Sequence, residues 1–415
     1  MLMVRAAMRL SVVLVLGLAV LASAATSYHG YKVVSVWPKT HHESWTVQQL
    51  VSGWELDQWS SSRGLGSPVD LLLPPKLTKR FLAALSQQHI HVTVKINDVQ
   101  QLIEQQGPGH KRRSTLPGTF DHTVYHNLGE IYSILDGAVA AFPHLVSLYT
   151  AGTTYEGRDI RVAKVSSGEP KPVIWIDCGI HAREWISSAT CQYILDQLTS
   201  GYGSDGQVTD LLDTYDFHIM PCANPDGYNY TWNEDRLWRK NRSPHTLCKG
   251  VDCNRNFDSD FGGAGTSDIP CSDLYHGPSA FSERESAAVR DAVLALDDVA
   301  MFYSLHSYAQ LWMTPYGYTT DLPANYDEQV RVAEVSVRAL EAVHGTQYQY
   351  GNIADIIYMA AGGSIDWVYD TAKVPYTYGV ELRDQGEYGF LLPEDQILPT
   401  GEETWAGIVA GINAI

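Results

Sequence analysis

Three polar segments in this chain each follow a run of apolar residues and end in groups that could do chemistry. Val173–Cys178 is followed by Gly179-Ile180-His181-Ala182-Arg183-Glu184, Ala300–Leu305 by His306, and Tyr376–Val380 by Glu381. Neutral imidazole and carboxylate both ligate zinc, and a spacing of three lets His181 and Glu184 point the same way. His306 would complete a His₂Glu set, which leaves a fourth position open for water, as in catalytic rather than structural zinc sites. HxxE is short, however, and alone it more often marks a capped turn with a hydrogen-bonded histidine. The HExxH pattern is absent, since His42-Glu43 is followed by Thr46. No G-x-S-x-G element marks a serine nucleophile.

These groups can meet only if their strands lie side by side. In open α/β sheets, sites form at the carboxyl ends of strands. Val173–Cys178, Phe217–Cys222, Ala300–Leu305 and Tyr376–Val380 all read as buried strands. Helical patterns alternate with them. Ser282 and Glu285 predict a capping box for a helix whose apolar face is Val289, Val293 and Leu296. Val330, Ala333, Val337 and Leu340 form a second helical stripe. Residues 114–415 are therefore expected to form one α/β unit with a central mixed, twisted β-sheet flanked by helices. The stretch Gln105–Ser114 is polar, broken by Gly and Pro, and carries Lys111-Arg112-Arg113. It reads as an exposed linker that a trypsin-like protease would cut, after Lys111, Arg112 or Arg113. Before it, strand-like runs at Lys32–Trp37 and His91–Ile96 and helical stretches at Thr46–Trp54 and Leu77–Gln88 predict a small α+β domain.

The amino terminus has the pattern of a secretory signal over residues 1–25. Arg5 and Arg9 precede the apolar run Leu10–Leu21, and Ala22-Ser23-Ala24 offers a cleavage site. The run is shorter than the roughly 20 residues that span a bilayer, which disfavours an anchor. A secreted, extracellular, soluble protein is expected. In an oxidising compartment the six cysteines allow up to three disulfides. Asn229-Tyr230-Thr231 and Asn241-Arg242-Ser243 are glycosylation sequons. The 415 residues carry 29 Lys and Arg against 47 Asp and Glu, a net charge of −18, with 45% hydrophobic residues. That composition excludes disorder. So acidic a chain without a basic stripe also argues against nucleic-acid binding.

The chain resembles a known family along nearly its whole length. The motifs include Tyr155-Glu156-Gly157-Arg158, Gly179–Ile186, Asn224-Pro225-Asp226-Gly227-Tyr228, Leu237-Trp238-Arg239-Lys240 and Asn254-Arg255-Asn256-Phe257-Asp258. They continue with Leu305-His306-Ser307-Tyr308, Gly362-Gly363-Ser364-Ile365-Asp366-Trp367, Glu381-Leu382-Arg383-Asp384 and Tyr388–Pro393. In order and spacing, residues 114–415 resemble the secreted metallocarboxypeptidases of the A/B subfamily, and Tyr28–Arg113 resembles their activation propeptide.

The resemblance implies a secreted zymogen of a zinc enzyme that removes the last residue of peptides and proteins. It implies one Zn²⁺ held by His181, Glu184 and His306, with Glu381 as general base. Arg239 matches the arginine that stabilises the oxyanion, and Asp252 the carboxylate behind His181. Asn254 and Arg255 match the pair gripping the substrate's terminal carboxylate, Arg183 a further carboxylate-steering arginine, and Tyr358 the tyrosine that closes over the substrate. Relatives that remove lysine and arginine carry an aspartate where this chain has Ile365. An isoleucine cannot pair with a buried cation, so aromatic and aliphatic C-terminal residues are expected. Ile353 and Ala360 are expected to line the same pocket. Gly379 stands where relatives carry a bulkier residue, which implies a wider pocket. Cys248–Cys271 and Cys178–Cys191 resemble family disulfides. A third bridge between Cys222 and Cys253 is expected to tie the carboxylate-binding loop to its neighbouring strand. The resemblance also implies a monomer with no membrane partner. A binding protein that has lost catalysis should lack a ligand or the base, and an endopeptidase should lack the Asn254-Arg255 pair; neither absence occurs.

Overall fold

The computed structural model describes residues 25–60, 64–106 and 120–415. The leader and the basic linker, with the cleavage expected there, lie outside the described residues.

The first domain is a four-stranded antiparallel sheet with strand order β2-β3-β1-β4. Its strands are β1 (Lys32–Trp37), β2 (Asp57–Gln58), β3 (Val69–Leu73) and β4 (His91–Ile96). Strand residues alternate between faces. Val34, Val36, Leu71 and Leu73 face the helices His41–Gly53 and Pro75–Gln87 and pack on Val47, Phe81 and Leu85. The other face carries Val33 and Leu72, which pack on Leu237, Tyr308, Phe390 and Leu391 of the second domain. Strands β1 and β3 are thus buried on both sides, whereas the edge strand β4 is largely exposed. Burial on both faces favours mainly apolar strands over strict alternation.

The second domain holds an eight-stranded mixed sheet with strand order β11-β10-β12-β9-β7-β8-β6-β5. In chain order these are β5 (Val146–Thr153), β6 (Asp159–Val165), β7 (Val173–Cys178), β8 (Asp216–Met220), β9 (Val299–His306), β10 (Leu311–Thr314), β11 (Gln349–Asn352) and β12 (Tyr376–Glu381). The central four, β12-β9-β7-β8, run parallel, so their carboxyl ends share one edge. One core joins Ile174, Ile176, Tyr303, Leu305 and Tyr378 to the helices Trp185–Gly201, Tyr326–His344 and Ile397–Ile412. The opposite core joins Trp175 and Phe302 to the helix Arg284–Leu294. No helix among the described residues is long and apolar enough to cross a membrane.

Two expectations fail here. The Ser282–Glu285 capping box is absent, because the helix begins one residue late, with Glu283 at its cap. Glu285 instead accepts a bond from Asn241, and Ser282 donates to Glu283. Cys222 and Cys253 are unbridged. Cys222 belongs to the helix-rich core and Cys253 to the opposite one, so the sheet separates them. The other two bridges form: Cys178–Cys191 staples the end of β7 to the helix that follows, and Cys248–Cys271 closes a surface loop.

Gly362 carries a local constraint that matters for the site. Its φ is +71°, and a Cβ there would lie 2.4 Å from the Arg255 carbonyl oxygen. Gly362→Ala is expected to lower stability by more than about 2 kcal/mol, through strain and displacement of the Arg255 backbone. Denaturant unfolding would read that loss; an unchanged midpoint would show that the loop absorbs the methyl group.

Candidate zinc and substrate site

The parallel register brings the polar strand ends together. Glu381 pairs directly with His306 across β12 and β9, and Cys178 pairs with Leu305, one residue short of that level. Past Cys178, the turn through Gly179 (φ +66°) leads to His181, and Glu184 caps the next helix. His181, Glu184 and His306 offer ligand atoms that all lie within 4.8 Å of one another, and all three residues are buried. His181 Nδ1 sits 2.9 Å from Glu184 Oε1, and His306 Nδ1 sits 3.2 Å from Glu184 Oε2. The two Nδ1 atoms are themselves 3.2 Å apart.

Lone pairs crowded this closely repel unless protons or a cation lie among them. Burial would push the Glu184 carboxyl up, but His181 and His306 outweigh it and hold it well below the usual carboxylate range. Two imidazoles and an ionised carboxylate, dry and convergent, fit Zn²⁺. The far nitrogen of His181, Nε2, lies 3.2 Å from Asp252 Oδ1. The other oxygen of Asp252 accepts from Arg239 Nε and Nη2 at 3.0 and 2.8 Å. Burial opposes ionisation of Asp252, yet Arg239 and His181 hold its pKa well below the ordinary value. Arg239 also reaches toward Glu184, Nη1 to Oε1 being 3.8 Å.

A single cavity of about 1090 Å³ is bounded by nearly all the residues singled out from sequence. Its lining includes the metal set, Glu381 and the guanidinium groups Arg183, Arg239 and Arg255, together with Ile353, Tyr358, Ala360, Ile365 and Gly379. Asp252 lies behind the wall. Asn254 is fixed by Ser364 N–H, which donates to its Oδ1 at 2.9 Å. Arg255 is anchored by Gly265 and Asn254 carbonyls, and its Nη2 donates to Tyr358 Oη at 3.3 Å.

The first domain closes this cavity. Asp57 of β2 accepts from Arg183 Nη1 at 3.1 and 3.2 Å, and Tyr308 Oη donates to Asp70 at 3.0 Å. Lys95 donates to Gln385 O at 3.0 Å, and Tyr28 Oη to Asp235 at 2.7 Å. Sequence reasoning did not find Asp57 or Asp70. Asp57 meets its partner 126 positions along the chain, and nothing local marks such a carboxylate. Asp366 was also missed as a pocket residue. Its oxygens accept from Gly317 N and Tyr318 N, and burial pushes its pKa up to about 7.

A zinc-dependent hydrolase kept under an inhibitory domain is what this arrangement describes, and comparison with known proteins gives it a family. Residues 131–407 match the family described as zinc carboxypeptidase, and residues 34–106 match the carboxypeptidase activation peptide. Carboxypeptidase A2 of Rattus norvegicus is 42% identical over 92% of this chain and 93% of its own length. Carboxypeptidase A1 of Bos taurus is 42% identical, covering 92% of both chains. The crystal structure of carboxypeptidase A from Helicoverpa armigera superposes with a TM-score of 0.85 at 29% identity, covering 93% of this chain and 98% of that one. The chain belongs to the zinc carboxypeptidase family and carries that family's activation peptide.

A ligand that binds only the folded state stabilises it in proportion to its concentration over its dissociation constant. Stripping zinc should therefore lower the melting temperature, and stepwise zinc addition should restore it. In His181→Ala the melting temperature should no longer respond to zinc. A zinc-independent melting temperature in the unmutated protein would count against the site.

Proposed function

We propose that this protein is a secreted zymogen, with a signal at residues 1–25, an activation propeptide at 26–113 and an A-type catalytic domain at 114–415 that removes aromatic and aliphatic C-terminal residues. The observation that carries the reading is the single cavity shared by the His₂Glu set, Glu381, three buried guanidinium groups and the apolar residues Ile353, Ala360 and Ile365. Zinc at His181, Glu184 and His306 would polarise the scissile carbonyl and acidify a bound water. Glu381 takes the water's proton and passes it to the leaving amine. Arg239 faces the developing oxyanion, and its two bonds to one oxygen of Asp252 hold it still for that task. Asn254, Arg255 and Arg183 hold the terminal carboxylate, and Tyr358 covers the terminal residue. A guanidinium fork suits a carboxylate because it donates two parallel bonds.

The apolar residues set the preference. Ile365 provides no counter-charge, and both oxygens of the neighbouring Asp366 already accept backbone N–H bonds. A lysine or arginine side chain would lie there unpaired, which is costly. A Cβ built on Gly379 would meet Ile365 and Met313 carbons at ordinary contact distances of 3.5 and 3.6 Å. The glycine leaves that room to the substrate. Secretion is supported by the leader pattern in the sequence and by two disulfides. A monomer is the expected state after activation, and a trypsin-like protease acting near Lys111–Arg113 is the expected activator.

Trypsin treatment of the purified zymogen should produce chelator-sensitive release of Phe and Leu from peptide C-termini, with negligible Lys or Arg release. Release of the basic residues would reject the pocket reading. No release at all, with zinc bound and the linker cut, would reject the catalytic one. Gly379→Thr should lower kcat/KM for C-terminal Trp by about tenfold or more while sparing Leu, since an overfilled pocket costs about 1–3 kcal/mol. Equal effects on both substrates would show that Gly379 does not border the bound side chain.

A further inference from the structure

Behind His306 stand three buried side chains to which the mechanism assigns no task. Asp177 and Ser304 are direct partners in the β7–β9 register. Alternation places Trp175 and Asp177 on one face of β7, and Ser304 and His306 on the same face of β9. All four are buried. Trp175 Nε1 donates to Asp177 Oδ2 at 2.9 Å, and Ser304 Oγ donates to Asp177 Oδ1 at 2.7 Å. Ser304 Oγ also lies 3.1 Å from His306 Nε2.

With Asp177 ionised, the direction of this chain follows from its chemistry. An indole N–H only donates, and a carboxylate only accepts. Asp177 then accepts both of its bonds, from Trp175 and from Ser304. The Ser304 hydroxyl has one hydrogen, and it is committed to Asp177. Only lone pairs remain for His306, so His306 Nε2 must carry the proton and donate. A neutral imidazole protonated on Nε2 has a bare Nδ1. Nδ1 is the atom that meets Glu184 and His181.

We propose that Trp175, Asp177 and Ser304 are positioning residues that lock His306 into the tautomer able to ligate zinc through Nδ1. This rests on the reading of His306 as a zinc ligand. The two histidines are then held in different ways. His181 meets a carboxylate directly, and Arg239 balances that charge. His306 meets a neutral hydroxyl, with its carboxylate one bond further back. The tautomer is set without a second negative charge against the ring.

The test uses the full zymogen, stripped of zinc and titrated with zinc against a chelating dye. Ser304→Ala and Asp177→Asn should each weaken zinc affinity by about 10–100-fold, measured at a temperature where the zinc-free variants remain folded, because buried groups left unpaired also lower the melting temperature. In Asp177→Asn the amide keeps its oxygen toward Trp175 and turns its NH₂ toward Ser304. The hydroxyl then donates to His306 and favours the wrong tautomer. ¹⁵N-histidine NMR of the zinc-free protein at alkaline pH should show His306, assigned by its loss in His306→Ala, protonated on Nε2 in the wild type and shifted toward Nδ1–H in Asp177→Asn. Zinc affinity within twofold of wild type in both variants would overturn the relay while leaving the ligand reading intact, provided His306→Ala loses zinc. Undiminished zinc binding by His306→Ala would overturn the ligand reading itself. If the variants do not fold, the wild-type spectrum decides: His306 resting as Nδ1–H overturns the proposal.

Discussion

Ladder bonds hold β9 between β7 and β12, and the rest of the site depends on that register. Glu381 lies level with His306, while Leu305 is level with both Cys178 and Val380. Because strand side chains alternate with period two, a slip of one residue would turn His306 into the helix-side core and send apolar neighbours toward the cleft. Bulk prevents that slip. Tyr303, Leu305, Tyr378 and Val380 fill the helix-side core with no solvent exposure. The packing that stabilises the sheet therefore also sets the metal geometry.

The charges in the cleft obey a second constraint. A buried ion is costly unless it is paired and hydrogen-bonded. Asp252 meets that requirement for two neighbours at once, His181 on one oxygen and Arg239 on the other. Arg183 is different, because one of its carboxylate partners, Asp57, belongs to the activation domain. The partner within its own domain, Asp273, is more distant at 3.5 Å. The closest counter-charge of Arg183 is therefore supplied by the activation domain and not by the domain that carries the metal set.

Much of this was legible in the sequence, and the reasons differ by element. β7 and β12 stood out because parallel strands buried on both faces are mainly apolar and here lead directly into polar residues, although Asp177 and Thr377 lie inside them. The runs Lys32–Trp37 and His91–Ile96 read from sequence are the strands β1 and β4. The short strands β10 and β11 were not legible, since Leu311–Thr314 and Gln349–Asn352 are too short to show a period. The metal triad could be assembled from polar strand ends, but only the family motifs decided for it over a capped turn, because HxxE itself gives no hint of a histidine 122 positions away. The Cys222–Cys253 pairing failed because sequence proximity to a loop says nothing about which side of a sheet a thiol occupies.

β3 shows why the closure of the cleft was the least legible feature. Its sequence, Val69-Asp70-Leu71-Leu72-Leu73, places a carboxylate inside an apolar run, which reads as an interrupted strand. In the fold, Asp70 shares the docking face with Leu72, and it accepts bonds from Ser35, Lys95 and Tyr308. Tyr308 lies two residues beyond His306. A purely apolar contact between the domains would tolerate sliding, because the hydrophobic effect has no direction. The bond from Tyr308 to Asp70 does not tolerate it, since a shift leaves the buried hydroxyl unpaired away from water, while Ser35 and Lys95 belong to the domain of Asp70 and hold the carboxylate in place. Asp70 thus fixes where the activation domain sits, and Asp57 is thereby delivered to Arg183. Two carboxylates that look misplaced in the sequence align a covering domain with the site it covers.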